Sequence, residues 1–232
     1  MYTLINPYLN GFISKNNRMK KLNKLNLIEL ESLYGGFIKN VPRKKVSPLD
    51  HRTTAEINRG GMTGGDRMSP NYHNYSPIYE KYLQKFDQNE ALTIVEVGIL
   101  KGSGLAIWST LFPNSKIIGL DIDPSLALSN LNFLKQKGAN IDNIEIHEFD
   151  QLIDFSGQLK DILNNERIDI MIDDGLHSDL AILNTIERIL PFLNDNFTYF
   201  IEDNNTAYKT ICHRFNELTA ENYNLMTVLT RL

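Results

Sequence analysis

From residue 92 onward the chain alternates short apolar, β-branched runs with stretches of helical period, and few folds accept that rhythm. The runs fall at residues 92–97, 116–120, 144–147, 168–172 and 199–201, with a last one at 225–229. Helical stretches lie between them, at 104–112, 125–137, 159–164, 180–193 and 207–218. Strands that are apolar on both sides belong to a parallel sheet covered on two faces. Right-handed crossovers then place helices on both of those faces. The expected fold is α/β: a doubly wound, mostly parallel Rossmann-like sheet preceded by an N-terminal extension. In such a sheet ligands bind beyond the carboxyl ends of the strands, so the residues just after each run carry the functional information.

The rest of the chain bounds the setting. Its 232 residues fit one large domain, or one domain with an extension, and 42% hydrophobic residues suffice for a sizeable core. A formal net charge of −4 argues against nucleic acid as the main partner. The single cysteine, Cys212, excludes an intrachain disulfide and reads as an ordinary buried thiol, which points to a reducing, cytoplasmic setting. No apolar run is long enough to cross a bilayer, and residues 1–14 lack a basic stretch followed by an apolar one, so no membrane partner and no leader are expected. Residues 1–75 read as extension and lid, and residues 76–232 as the cofactor-binding domain. Leu22, Leu25, Leu27, Leu30 and Leu33 suggest a helix over 19–34. Lys20-Lys21 and Arg43-Lys44-Lys45 read as solvated faces. Residues 58–74, rich in Gly, Asn, Ser and Thr, suit a mobile loop that closes over a site.

The strand ends hold the chemistry. The first run passes into Glu96-Val97-Gly98, and Gly102-Ser103-Gly104 opens the next helix. Glycines here let the backbone turn sharply and approach a ligand, and the helix start offers free N–H groups. The spacing G-x-x-x-G-x-G is not the dinucleotide fingerprint G-x-G-x-x-G. The second run ends at Asp121, about twenty residues past the glycines, where an acid commonly accepts hydrogen bonds from a ribose diol. That suits an adenosine-type cofactor without separating S-adenosylmethionine from NAD. Asp123, before Pro124, reads as a helix cap. Asp150, after the third run, suits an adenine amino group or is a plain loop acid.

The fourth and fifth runs end in Asp173-Asp174-Gly175-Leu176-His177 and Glu202-Asp203. Adjacent strand ends would bring Asp173, Asp174, Glu202 and Asp203 to one edge of the cleft. Carboxylates gathered there repel one another unless a cation neutralises them. A hard ion such as Mg²⁺ suits oxygen ligands and keeps waters that a diol can replace. His177 is placed to be a general base for a metal-bound hydroxyl, or else is a surface histidine at a helix start. Asp174 and Asp203, taken singly, read as helix caps or loop acids. His147, inside a strand, reads as structural.

At these residues the sequence resembles the class I S-adenosylmethionine-dependent methyltransferases. Within them it is most similar to the metal-dependent sugar O-methyltransferases of macrolide biosynthesis, the macrocin and mycinamicin type. Three stretches carry the resemblance: Gly65-Asp66-Arg67 through Glu80, Glu96 through Gly104, and Ile172 through His177 together with Ile201-Glu202-Asp203. The family's first segment usually reads Gly-Thr-Asp-Lys, where this chain has Gly64-Gly65-Asp66-Arg67. The resemblance implies that Asp174, Glu202 and Asp203 ligate Mg²⁺ and that His177 is the base. It implies that Glu96, Gly98 and Asp121 hold the cofactor; the expected cofactor set also takes in Gly102, Ser103, Asp150 and Asp173, with His73 and Tyr75 from the lid segment. It also implies a homo-oligomer and a small-molecule or glycan acceptor bearing a sugar hydroxyl. Only one strand is legible after the fifth run, so an open sheet edge is expected, covered by the extension or by another subunit. A nicotinamide-dependent oxidoreductase fits the glycine spacing poorly, and a non-catalytic cofactor-binding protein has no need for the acids and His177 together.

Overall fold

Five parallel strands are built from the apolar runs. They are β3 (Thr93–Val97), β4 (Lys116–Asp121), β5 (Ile144–Glu148), β6 (Ile168–Asp173) and β7 (Leu193–Ile201) in a computed structural model that describes residues 24–232. The leader reading of residues 1–14, the Lys20-Lys21 pair and Leu22 lie outside the described residues. The full sheet adds β8 (Leu218–Tyr223) and β9 (Met226–Arg231), in the order β5-β4-β3-β6-β7-β9-β8. Pairing is parallel from β5 through β7, and antiparallel where β9 joins β7 and β8. The chain reverses direction across the sheet between β3 and β6, which is the switch point where such sheets bind ligands.

Side chains alternate between the two faces of the sheet with period two. Ile94, Ile117, Ile170, Ile172 and Phe200 pack under α1 (Lys24–Tyr34), α3 (Ser76–Leu83), α4 (Ser103–Leu111) and α5 (Ser125–Gln136). Val95, Ile118, Met171 and Tyr199 pack on the other face against α6 (Ser156–Leu163), α7 (Asp179–Ile189) and α8 (Ala207–Arg214). Each fully buried aliphatic side chain of this kind contributes about 1.5–3 kcal/mol.

The closing hairpin is complete, which corrects the expectation of an open edge. β8 and β9 join through a two-residue turn at Asn224-Leu225, with Asn224 at φ 63, a conformation asparagine tolerates. β8 was illegible because it is the edge strand, with only Leu218 fully buried. The helical stretch expected to reach 218 stops at Arg214, and Leu193 begins a strand rather than ending a helix. Cys212 is exposed, not buried. Among the described residues no helix is long and apolar enough to cross a membrane.

Residues 24–75 pack onto this sheet. Leu27, Tyr34, Met68 and Tyr75 share a core with α4 and β3. β1 (Ile38–Val41) and β2 (Met62–Gly64) form a small antiparallel sheet, and α2 (Thr54–Asn58) carries a Thr53/Glu56 capping box. Glu31 of α1 accepts the backbone N–H groups of Arg67 (3.0 Å) and Met68 (3.1 Å) and so ties the segment after β2 to the domain. Residues 58–74, expected as a loop, thus contain a strand. Gly65 sits at φ +70, and a Cβ there would lie 1.8 Å from the Gly36 carbonyl oxygen.

Candidate active site at the strand ends

A cavity of about 400 Å³ opens over the carboxyl ends of β3, β4 and β6. That is the size of an ordinary small-molecule pocket. Gly98, Ile99, Leu100, Ser103 and Gly104 form one wall, with Asp121, Asp123, Phe149, Asp150, Gln151 and Leu152 beyond them. Asp174, His177 and Asp203 form the opposite side, and Arg43–Lys45 and Gly61–Arg67 roof it.

On the β3–β5 side the polar groups are already partnered. Asp121 accepts N–H from Ile99 (2.9 Å), Leu100 (3.3 Å) and Asp123 (2.9 Å), so its carboxylate staples the glycine loop. Burial nonetheless raises its pKa, against these three bonds. Gly98 adopts φ +81, and a Cβ would fall 2.0 Å from the Asp174 carbonyl oxygen. Gly102 is the left-handed N-cap of α4 and Ser103 begins that helix. Asp123 accepts the Ser125 N–H (3.1 Å) from one residue before Pro124, the N-cap of α5. Asp150 faces the cavity and accepts the Leu152 N–H (2.9 Å).

Glu96 is buried and fully engaged. One oxygen accepts from Arg67 Nη1 (2.6 Å) and the other from the Trp108 indole (2.9 Å). Gly104 leaves room for this arrangement, since a Cβ there would meet Glu96 Oε1 at 2.2 Å and Arg67 Nη2 at 2.4 Å. Arg67 also stands 3.6 Å from Asp174 Oδ2 and 3.6 Å from Glu202 Oε1. Burial alone would lower the guanidinium pKa, but Glu202 and Glu96 hold it well above its ordinary value. Tyr79 donates its hydroxyl to the same Glu202 oxygen.

On the β6–β7 side bonding capacity is left open. Asp174, His177 and Asp203 offer ligand atoms within 4.8 Å of one another. His177 Nε2 is 3.9 Å from Asp174 Oδ1, while its Nδ1 is buried without a hydrogen-bond partner, as is Glu202 Oε2. Burial first, then Glu202 and Asp203, raise the Asp174 pKa well above the carboxylate range, with Arg67 opposing. Burial, Asp203 and Glu96 push Glu202 up to about 8 against Arg67 and the Tyr79 hydrogen bond. His177 and Asp203 both occupy the left-handed region, at φ 58 and φ 55. Each such non-glycine residue costs on the order of 1–2 kcal/mol. Neither acid caps a helix: Ser178 caps α7, and Asn204 accepts from Thr206 and Ala207 ahead of α8.

Three residues sit elsewhere than the cleft edge. Asp173 shares the face of Met171, away from the cavity, where Gln151 Nε2 (2.9 Å) and the Tyr199 hydroxyl (3.1 Å) donate to it; burial raises its pKa. Gln151 also accepts the Leu176 N–H (2.8 Å), so this pair shapes the 174–177 turn from below. Tyr75 and His73 do not line the cavity but stack on each other beside Asp203. The Tyr75 hydroxyl donates to Asp203 Oδ1 (2.6 Å), and His73 lies between Asp203 (3.6 Å) and Asp66 (3.5 Å). His147, within β5, stands 3.6 Å from Glu145. The place of Arg67 in the site was not foreseen. Counting strand parity from Ile94 and Phe200 puts Glu96 and Glu202 on one face and Asp173 on the other, but nothing in the sequence places Arg67 among the acids.

No family model matches the chain. Over 143 residues it is 25% identical to mycinamicin VI 2''-O-methyltransferase of Micromonospora griseorubida, an alignment covering 59% of this chain and 33% of that protein. Over 145 residues it is 26% identical to 8-demethyl-8-alpha-L-rhamnosyl tetracenomycin-C 2'-O-methyltransferase of Streptomyces olivaceus, covering 59% and 34%. Among solved structures it matches MycE methyltransferase from the mycinamycin pathway in complex with Mg, SAH and mycinamycin VI. That match has a TM-score of 0.59 and 17% identity, over 89% of this chain and 54% of the other. The fold is that of a class I methyltransferase. The antiparallel β9 lies between β7 and β8. The chain spans about a third of the length of the curated relatives it matches.

Proposed function

We propose that the chain is an S-adenosylmethionine-dependent O-methyltransferase acting on a sugar hydroxyl, free, nucleotide-linked or glycan-linked, with a Mg²⁺ ion at the β6–β7 strand ends. The observation that carries this reading is the meeting of Asp174, Asp203 and His177 at the edge of a cavity walled by the glycine loop. The donor set fits a hard divalent ion: carboxylate oxygens predominate, and the buried Glu202 Oε2 has no partner of its own. The cavity fits an adenosine-type cofactor, with Gly98, Ser103 and Asp121 on one side and Phe149, Asp150 and Leu152 on the next. The similarity to sugar O-methyltransferases supports the acceptor class.

When bound, S-adenosylmethionine supplies an already activated methyl group, and Mg²⁺ makes a coordinated hydroxyl more acidic. The chain's own residues do the rest. Asp174, Asp203 and Glu202 hold the ion, and His177 accepts the hydroxyl proton at Nε2. The walls of the cavity align acceptor and methyl donor and keep water out, which supplies much of the rate.

The test is calorimetric titration of S-adenosylhomocysteine into the protein, with NADH as the comparison, followed by methyl transfer to a sugar panel in Mg²⁺ or chelator. Binding of the former alone and chelator-sensitive transfer are expected. His177→Ala should keep cofactor binding and lose turnover by about 10²–10⁴-fold. A folded protein that ignores S-adenosylhomocysteine refutes the reading, and NADH binding would favour an oxidoreductase.

A further inference from the structure

Four acids surround one strand-end region: Glu96, Asp174, Glu202 and Asp203. Three of them face a single buried guanidinium. Arg67 Nη1 lies 2.6 Å from Glu96, 3.6 Å from Asp174 and 3.6 Å from Glu202. Arg67 is itself held in place. Its backbone N–H is fixed by Glu31, its guanidinium lies over the Trp108 ring at 5.8 Å, and glycine at 104 leaves room for it. Asp203, by contrast, has no contact with Arg67 and is reached by Tyr75 and His73.

We propose that Arg67 is a positioning residue, the permanent cation of the site. It neutralises Glu96 and the inner oxygen of Glu202 from within, and so confines a divalent ion to the outer set of Asp174, Asp203 and the free Oε2 of Glu202. This inference rests on the Mg²⁺ reading above. Its physical content is a charge balance: with all four carboxylates ionised, as a bound ion requires, they and the guanidinium leave the region three charges negative, and one divalent ion brings it close to neutrality. Charges a few ångströms apart in a partly buried site couple strongly, so removing one charge from the cluster of Arg67 and its acids must move metal affinity in a direction set by its sign.

The experiment titrates Mn²⁺, as a spectroscopic substitute for Mg²⁺, into the full chain and into Arg67→Gln, Arg67→Lys and Glu96→Gln, following electron paramagnetic resonance and S-adenosylhomocysteine calorimetry. Arg67→Gln removes a positive charge and is expected to bind Mn²⁺ about ten-fold or more tightly, or to take a second ion. Arg67→Lys keeps the charge and should stay within a few-fold of the parent. Glu96→Gln leaves Arg67 less neutralised and should weaken Mn²⁺ binding several-fold. A folded Arg67→Gln that binds Mn²⁺ no more tightly and takes no second ion overturns the proposal, because a packing role alone would loosen the site. If that variant does not fold, Glu96→Gln decides: unchanged Mn²⁺ affinity overturns the proposal. A parent chain that binds no Mn²⁺ refutes the metal reading instead.

Discussion

The two halves of the strand-end surface are built on opposite terms. On the β3–β5 side Asp121 is occupied by three backbone N–H groups, and Glu96 by Arg67 and Trp108. On the β6–β7 side His177 Nδ1 and Glu202 Oε2 are buried without partners, and His177 and Asp203 hold left-handed backbone conformations. In the first half these carboxylates have fixed partners. The second carries desolvated, mutually repelling charge that the rest of the fold must offset. Among the described residues, the buried atoms of the site's acids and histidines left without a partner, His177 Nδ1 and Glu202 Oε2, lie on the β6–β7 side.

The sharpest way to break this contrast is to disrupt the seam between the halves. Gly98 belongs to the glycine loop, yet its Cβ would fall 2.0 Å from a backbone oxygen of Asp174 at a φ of +81. Gly98→Ala should therefore cost about 3 kcal/mol or more in urea unfolding and abolish S-adenosylhomocysteine binding. Gly138→Ala is the control, since its φ of +101 carries the conformational cost with nothing within 4 Å to collide with. Equal losses in the two variants would show that the halves are not rigidly joined at Gly98.

The partnered half was the more legible from sequence. Its strands are continuous apolar runs, and Asp121 follows the glycines at a spacing that announces its place. The reactive half was legible only as a cluster. Asp174, His177 and Asp203 were foreseeable as neighbours because β6 and β7 are adjacent. The direction of each side chain depends on strand parity, and that sends Asp173 to the opposite face, beside Tyr199. Arg67, Tyr75 and His73 come from before the first recognised strand, and only the folded path of residues 65–75 brings them to the acids. The edge strand β8 gave no signal because a single buried leucine makes no pattern.

A second prediction follows from the charge imbalance. Glu202 has its pKa pushed up to about 8 from an ordinary 4.5, so between those values the folded state holds a proton that the unfolded chain gives up. Stability must then fall as pH rises through that window, and Asp174, also raised, adds in the same direction. In chelator the loss should be on the order of 1–3 kcal/mol, and Mg²⁺ should reduce it by binding the ionised acids. Thermal melts across pH, with and without Mg²⁺, measure this. A melting temperature in chelator that is flat from acid to alkaline pH would mean that the acids are already compensated.

The smallest effect tests whether the roof segment serves the reactive half rather than the cofactor. Tyr75 is buried, and its hydroxyl gives Asp203 a 2.6 Å hydrogen bond from a residue that does not line the cavity. Tyr75→Phe keeps the ring, its stacking on His73 and its place in the core, and removes only that donor. The Asp203 side chain then keeps the 3.6 Å approach of His73, while Glu202 and Asn204 on either side keep their backbone bonds to Asp173 and Leu225. Stability should change by no more than about 1 kcal/mol, the usual worth of one such bond. Divalent-ion affinity should shift by a few-fold, with S-adenosylhomocysteine affinity unchanged. Loss of cofactor affinity with the ion unaffected would instead attach Tyr75 to the β3–β5 half, and the contrast between the halves would have to be redrawn through the roof.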